Sequence, residues 1–240
     1  MKNFWEIVNK VIKDSDIILL VMDARFPELT DNPELQERAG EKPIIHVLNK
    51  TDLVERSLME KWKKKKQNVV YLSAKEHKGT TILLRKILEL AQGKNVTVGV
   101  VGYPNTGKSS VINALKGRHA TRTSPHSGFT KGRQLVRITE NIYLLDTPGV
   151  LPYMEKDEIK LSVIGARDFT KTKDPDLAAM ELINQKRNII CKHYGIKEGN
   201  AEKIIKEIAL KYKKLGKGGI ANIDATARMI LKDWQKGKIS

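Results

Sequence analysis

Ungapped apolar runs alternate with stretches of helical spacing through the first hundred residues. DIILLVMDA (16–24), PIIHVLN (43–49), VVYLS (69–73) and VTVGVVG (96–102) have the pattern of strands buried on both faces. Segments near 32–40, 55–66 and 80–92 space their apolar residues three and four apart, so helices are expected there. The order βαβαβαβ predicts a mostly parallel sheet with helices on both faces, a three-layer α/β domain. A helix is also expected from Lys108 to about Lys116, followed by the polar loop GRHATRTSPHSGFTKG. QLVRIT and IYLLDT then read as a strand pair joined tightly at ENI.

Beyond Pro152 the pattern changes. Helical stretches at 158–166, 175–194, 200–214 and 224–236 surround a loop at KLGKGG (214–219), and no run suits a strand. The expected organisation is therefore an α/β domain over 1–155 and a small all-helical domain over 156–240. The second carries 19 Lys+Arg against 11 Asp+Glu, half of the whole chain's formal net charge of +16. Such a balance suits a polyanionic partner, RNA or DNA first and an acidic membrane surface second. A lysine-rich surface serving solubility or high temperature remains the alternative. KWKKKKQ (61–67) reads as the solvated end of a helix, with a nucleic-acid contact as the other reading.

The single cysteine, Cys191, excludes an internal disulfide and a cysteine zinc cluster, and points to a reducing compartment. The longest apolar run, IILLVM, is far too short to span a bilayer. MKNFWEIVNKVIKD has helical spacing but lacks a signal peptide's apolar core and cleavage site, so a cytoplasmic protein is expected.

The chemistry concentrates in five short motifs. GYPNTGKSS (102–110) follows a predicted strand and opens a predicted helix, the setting a phosphate-binding loop requires. Gly102 and Gly107 let the chain wrap an anion, the backbone of Asn105, Thr106 and Gly107 lines it, and the helix N-terminus at Ser109 and Ser110 faces it. Lys108 would reach the β- and γ-phosphates, and Ser109 would ligate Mg²⁺. LLDTPG (144–149) comes 38 residues after that lysine, counted to Asp146. Asp146 is placed to hold Mg²⁺ through water and Gly149 to offer its N–H to a γ-phosphate. A threonine closing over Mg²⁺ must lie between; Thr130 in SGFTKG is preferred over Thr121 and Thr123.

NKTD (49–52) ends an apolar strand. Asp52 can accept from guanine N1–H and N2–H₂, which adenine does not supply, so an unpaired carboxylate would penalise the wrong base. Asn49 would support the base edge and the stem of Lys50 would cover the ring. LSAK (72–75) ends the next strand, with Ala74 N–H aimed at guanine O6 and Ser73 and Lys75 shaping the loop. Base motifs thus precede the phosphate loop, the reverse of the usual GTP-binding order. Binding needs only that the loops converge at one sheet edge, so a circularly permuted chain, its old ends joined through 76–95, reconciles them.

In that order, with DARFP (23–27) ahead of NKTD and the ending ATARMILKDWQKGKI, the chain resembles the circularly permuted GTPases of the YlqF/YawG group. The bacterial and organellar members of that family assist assembly of the large ribosomal subunit. The resemblance implies a permuted Ras-like P-loop fold, binding of GTP and GDP with Mg²⁺, and hydrolysis of GTP to GDP and phosphate. It implies partners in precursor rRNA and ribosomal proteins, with no DNA. Asn105 matches an asparagine that holds K⁺ in related GTPases; otherwise it braces the loop. Lys108, Thr130, Gly149 and Asn105 would then form the catalytic set. Val150 stands where signalling GTPases often carry a water-orienting glutamine, so intrinsic hydrolysis should be slow and raised by a particle and by K⁺. The basic arm of Arg118, Arg122, Lys131, Arg133 and Arg137 suits a ribosomal partner or is an ordinary charged switch loop. His119 and His126 would position water or simply face RNA or solvent. Two other functions stay open: a GTP-gated regulator of a protein partner, and an ATP-using P-loop enzyme.

Overall fold

The computed structural model describes residues 4–63, 66–119, 135–145 and 157–239, and the chain divides into two compact units, Met1–Met154 and Glu155–Ser240. The first opens with α1 (Phe4–Lys13), β1 (Ile17–Asp23), α2 (Pro27–Thr30), α3 (Pro33–Ala39) and β2 (Ile44–Asn49). It continues with α4 (Arg56–Lys63), β3 (Val69–Tyr71), α5 (Thr80–Ala91), β4 (Val96–Val101), α6 (Lys108–His119), β5 (Leu135–Arg137) and β6 (Ile142–Leu145). The strands form one six-stranded sheet in the order β3-β2-β1-β4-β6-β5, parallel except where β5 runs against β6.

Alternate residues of β1 feed two separate apolar layers. Ile17, Leu19 and Val21 pack among Leu83 and Ile87 of α5 and Val111 and Leu115 of α6. Ile18, Leu20 and Met22 pack among Val11 of α1, Leu35 of α3 and Trp62 of α4. Because side chains alternate across a strand, helices on both faces demand an apolar residue at every position. That is the origin of the ungapped runs. The expected α/β class and mostly parallel sheet are present.

Departures from expectation have local causes. Ser73 leaves the ladder because its N–H and C=O pair with Lys78 in an isolated bridge. The short helix α2 was not foreseen, since four residues are too few to show a period. It starts on Pro27, and Thr30 Oγ1 donates to Phe26 O while accepting from Asp23 N–H. Lys66 of the lysine run lies outside helix α4 and pairs with Asp31 at 2.9 Å, so part of that run is a structural contact. Helix α6 extends past Lys116 to His119.

The second unit comprises α7 (Glu158–Val163), α8 (Pro175–Tyr194), α9 (Ala201–Lys211) and α10 (Ile223–Gln235). Asp157, Asn200 and Asn222 cap three of these helices, each side chain accepting from the N–H three residues on. Its core includes Leu182, Ile183, Ile204, Ile208, Ile230 and Trp234, the last donating its indole N–H to Val163 O at 3.0 Å. The 214–219 loop holds one 3₁₀ turn, Lys217–Gly219, and is closed by a bridge between Leu215 and Ala221. Among the described residues no helix is long and apolar enough to cross a membrane.

Candidate functional site

Strand order reverses between β1 and β4, and the chain after β1 and after β4 turns out at the carboxyl edge beside that reversal. In open α/β sheets this is where ligands bind. Gly102 leaves β4 with φ 146°, and a Cβ there would lie 2.3 Å from Val21 O. Gly107, at φ 95°, approaches so closely that a Cβ would lie 2.2 Å from Asn49 Nδ2. Glycine is therefore needed at both positions for the loop to lie against β1 and against the end of β2. Asn105 is left-handed without being glycine, at φ 61°. Buried Thr106 donates its hydroxyl to Tyr103 O. Lys108, the first residue of α6, is buried, and its ammonium donates to Gly102 O at 2.9 Å and Tyr103 O at 2.6 Å. Ser109 and Ser110 are exposed in the first turn of the helix. The loop thus bends around its own lysine at a helix N-terminus, an arrangement suited to an anion.

Asn49, the last residue of β2, connects this loop to both base motifs. Its Nδ2 donates to Thr106 O at 2.9 Å, and its Oδ1 accepts from Ala74 N–H at 3.1 Å. NKTD, SAK and the phosphate loop, far apart in the chain, therefore meet through one buried amide. Lys50 is left-handed, and Thr51–Leu53 follow as a 3₁₀ turn. Asp52 Oδ1 accepts from Ser73 Oγ at 2.7 Å, and Ser73 Oγ in turn accepts from Glu76 N–H. Lys75 is exposed. Ala74 N–H is engaged by Asn49, so a guanine O6 arriving there shares that donor or displaces Asn49.

The motif DARFP supplies buried charged residues that sequence reasoning left without a role. Asp23 ends β1 directly across from Asn49 and is fully buried. Arg25 grips it through Nε at 3.0 Å and Nη2 at 2.8 Å, and Lys50 Nζ lies 2.8 Å from the same carboxylate. Burial alone would raise the Asp23 carboxyl, but the charges and hydrogen bonds of Arg25 and Lys50 outweigh it and hold the pKa at about 2. Burial lowers the Lys50 ammonium, with Asp23 opposing. The available signal was positional: two adjacent parallel strands whose polar last residues end level.

Thr130, Asp146 and Gly149 lie outside the described residues, as do Thr121, Thr123, His126, Val150, Arg122, Lys131 and Arg133. Arg118 and His119 belong to α6, but their side chains are outside the description. Arg137 of β5 donates its Nε to Thr139 O. Among the described residues no group of three or more His, Cys, Asp or Glu side chains could hold a metal ion. The expected Mg²⁺ set of Ser109, Thr130 and Asp146 contains a single carboxylate, so it would not form such a group.

The family model described as RsgA GTPase matches residues 9–153, and that described as 50S ribosome-binding GTPase matches 97–215. A GTP-binding protein of Methanocaldococcus jannaschii is 43% identical, the match covering 98% of this chain and 65% of that protein. Nucleolar GTP-binding protein 2 of Pneumocystis carinii is 35% identical over 99% of this chain and 53% of its own length. This chain thus spans about half to two thirds of such relatives. GDP-bound YlqF of T. maritima is similar with a TM-score of 0.72 at 26% identity, covering 96% of this chain and 94% of that one. Its GNP-bound form gives a TM-score of 0.70 over 96% and 92%. NKTD and SAK come first in sequence yet lie beside the glycine-rich loop that follows them, and this chain belongs to the circularly permuted, YlqF-like GTPases.

Proposed function

We propose that this chain binds guanine nucleotides, hydrolyses GTP to GDP and phosphate, and acts as a nucleotide-controlled switch in large ribosomal subunit assembly through rRNA contact. One observation carries the nucleotide reading: Asn49 joins the phosphate loop at Thr106 to the SAK loop at Ala74. That bridge supports reading Asp52 as the acceptor for guanine and Gly102–Lys108 as the cradle for phosphates of one nucleotide. Asp52 would take the N1–H and N2–H₂ of guanine, and Asn49, Lys50, Ser73, Ala74 and Lys75 would line the base. Lys108 would exchange its two carbonyl partners for phosphate oxygens, with the backbone from Asn105 to Ser110 around them.

The hydroxyl of Ser109 suits Mg²⁺, with Thr130 and Asp146 completing the set, and Gly149 would meet the γ-phosphate. When bound, Mg²⁺ neutralises charge building on the phosphates. Asn105 would hold K⁺. Its backbone is left-handed, and the residue is exposed.

Displacement of a fluorescent GDP analogue tests the base. Unlabelled GDP should compete at least about a hundredfold better than ADP, and equal competition would end the reading. Turnover should rise severalfold when K⁺ replaces Na⁺; equal rates would remove Asn105 from the catalytic set. The RNA role rests on the basic helical unit and on what the relatives are called. Co-sedimentation with large-subunit particles at moderate salt, strengthened by a non-hydrolysable GTP analogue, separates it from regulation of a protein partner.

A further inference from the structure

We propose that Asp23 is the positioning residue of the guanine-binding turn, clamped by Arg25 and acting through Lys50. The inference rests on the guanine-nucleotide reading above and assigns the DARFP motif a part in it.

The geometry gives an order of dependence. Arg25 binds Asp23 three times, through backbone N–H and Nε to Oδ1 and through Nη2 to Oδ2. The carboxylate is thereby fixed by its own neighbour, whether or not Lys50 is present. Its strand is fixed too: Asp23 N–H donates to Thr30 Oγ1, and Ala24 N–H donates to Asn49 O at the end of the adjacent strand. Lys50 is the element with a choice. It has a left-handed backbone, φ 67° and ψ 35°, which a residue with a Cβ adopts at a cost. Its ammonium closes on the preformed Asp23 Oδ2 at 2.8 Å. Holding the side chain holds the backbone turn, and the next two residues are Thr51 and Asp52. Thr51 N–H bonds Leu72 O, so the turn is tied on its far side to the strand that delivers SAK.

An alternative is an ion pair that serves the fold alone. Buried pairs are poor stabilisers compared with apolar residues of the same size, yet this one sits at the root of the base turn with no apolar substitute. The Asp23 carboxylate is bonded by Arg25 and by Lys50, the residue that leads into Asp52. Its removal should therefore disturb base recognition while leaving phosphate binding in place, which a general loss of stability would not do.

The test is competition by GDP and by ADP against one fluorescent nucleotide, in wild type, Asp23→Asn, Lys50→Met and the double variant. GDP should weaken about tenfold in Asp23→Asn with ADP unchanged, and the double variant should be no worse than the weaker single. An unchanged GDP-to-ADP ratio in Asp23→Asn, or losses that add in the double variant, would overturn the proposal. Should Asp23→Asn fail to fold, Arg25→Gln takes its place: a selective GDP loss of about threefold supports the clamp, and none overturns it. A wild type that does not prefer GDP would overturn the guanine reading itself; a preference kept by the variants would overturn only the role of Asp23.

Discussion

The two units treat polar side chains differently. Among the described residues the α/β unit buries ten polar or charged side chains, of which Asp23, Arg25, Asn49, Ser73, Thr106 and Lys108 lie at or just beyond the carboxyl ends of β1 to β4, and the others are Ser15, Thr30, His46 and Thr80. In the helical unit the buried polar side chains among the described residues are Ser162, Thr172 and Thr226. Ser162 and Thr226 return their hydroxyls to the helix carbonyls of Glu158 and Asn222. Removing charge from water is expensive, so charges buried together mark a place where something other than stability is served. The helical unit keeps its surplus of basic residues outside an apolar core.

Four experiments can break or sharpen that contrast. Trp234→Ala should cost about 3–5 kcal/mol of the helical unit's stability, read by denaturant unfolding, while GDP affinity of folded protein stays unchanged. A fall in GDP affinity would mean the units are not separate in function. Lys108→Ala should weaken GDP by roughly a hundredfold, about 3 kcal/mol by calorimetry, and leave hydrogen exchange in α8 to α10 untouched.

Acid comes next in size. The Asp23 pKa is held at about 2, below its ordinary value, so the stabilisation it gives is fully present above about pH 4. It is lost as pH falls through about 2, a contribution of about 2 kcal/mol. Exchange protection in β1 and β2 should decline across that window more steeply than in α10. The smallest effect belongs to the exposed pair Lys213 and Lys214. Changing both to Gln should weaken the proposed rRNA binding severalfold and lower its salt slope by about one per lysine, with GDP affinity unaltered.

Much of this was legible in the chain because it follows from periodicity and local motif. Ungapped runs identified β1, β2 and β4, since two-sided burial leaves no polar position in them. That NKTD, SAK and the phosphate loop meet at one sheet edge followed from the motifs once the sheet was taken as parallel, but the bond from Asn49 to Thr106 that joins them did not. What escaped depends on register between strands. Nothing in DARFP alone shows that Asp23 lies level with Asn49, or that Lys50 turns its ammonium back toward β1 instead of leaving it in water. Lys66 looked like solvated charge because its partner, Asp31, is 35 residues away in sequence. Ala74 N–H was read as a free donor, and only the fold shows Asn49 on it. Thr130, Asp146 and Gly149 remain readings of motif and spacing.

The seam between β1 and β4 has a further consequence. Residues proposed to read the base all precede Val96, and those proposed to grip phosphate all follow it, so the sheet is two half-sheets zipped along Ile17–Leu20 and Val98–Val101. A nucleotide lying across the carboxyl end of that zipper would act as a rivet, and amides along it should exchange more slowly when GDP is present. Cleaving the exposed turn at Gln92–Asn95, ahead of β4, would leave two pieces that a guanine nucleotide holds together, a ready basis for a split reporter of nucleotide occupancy.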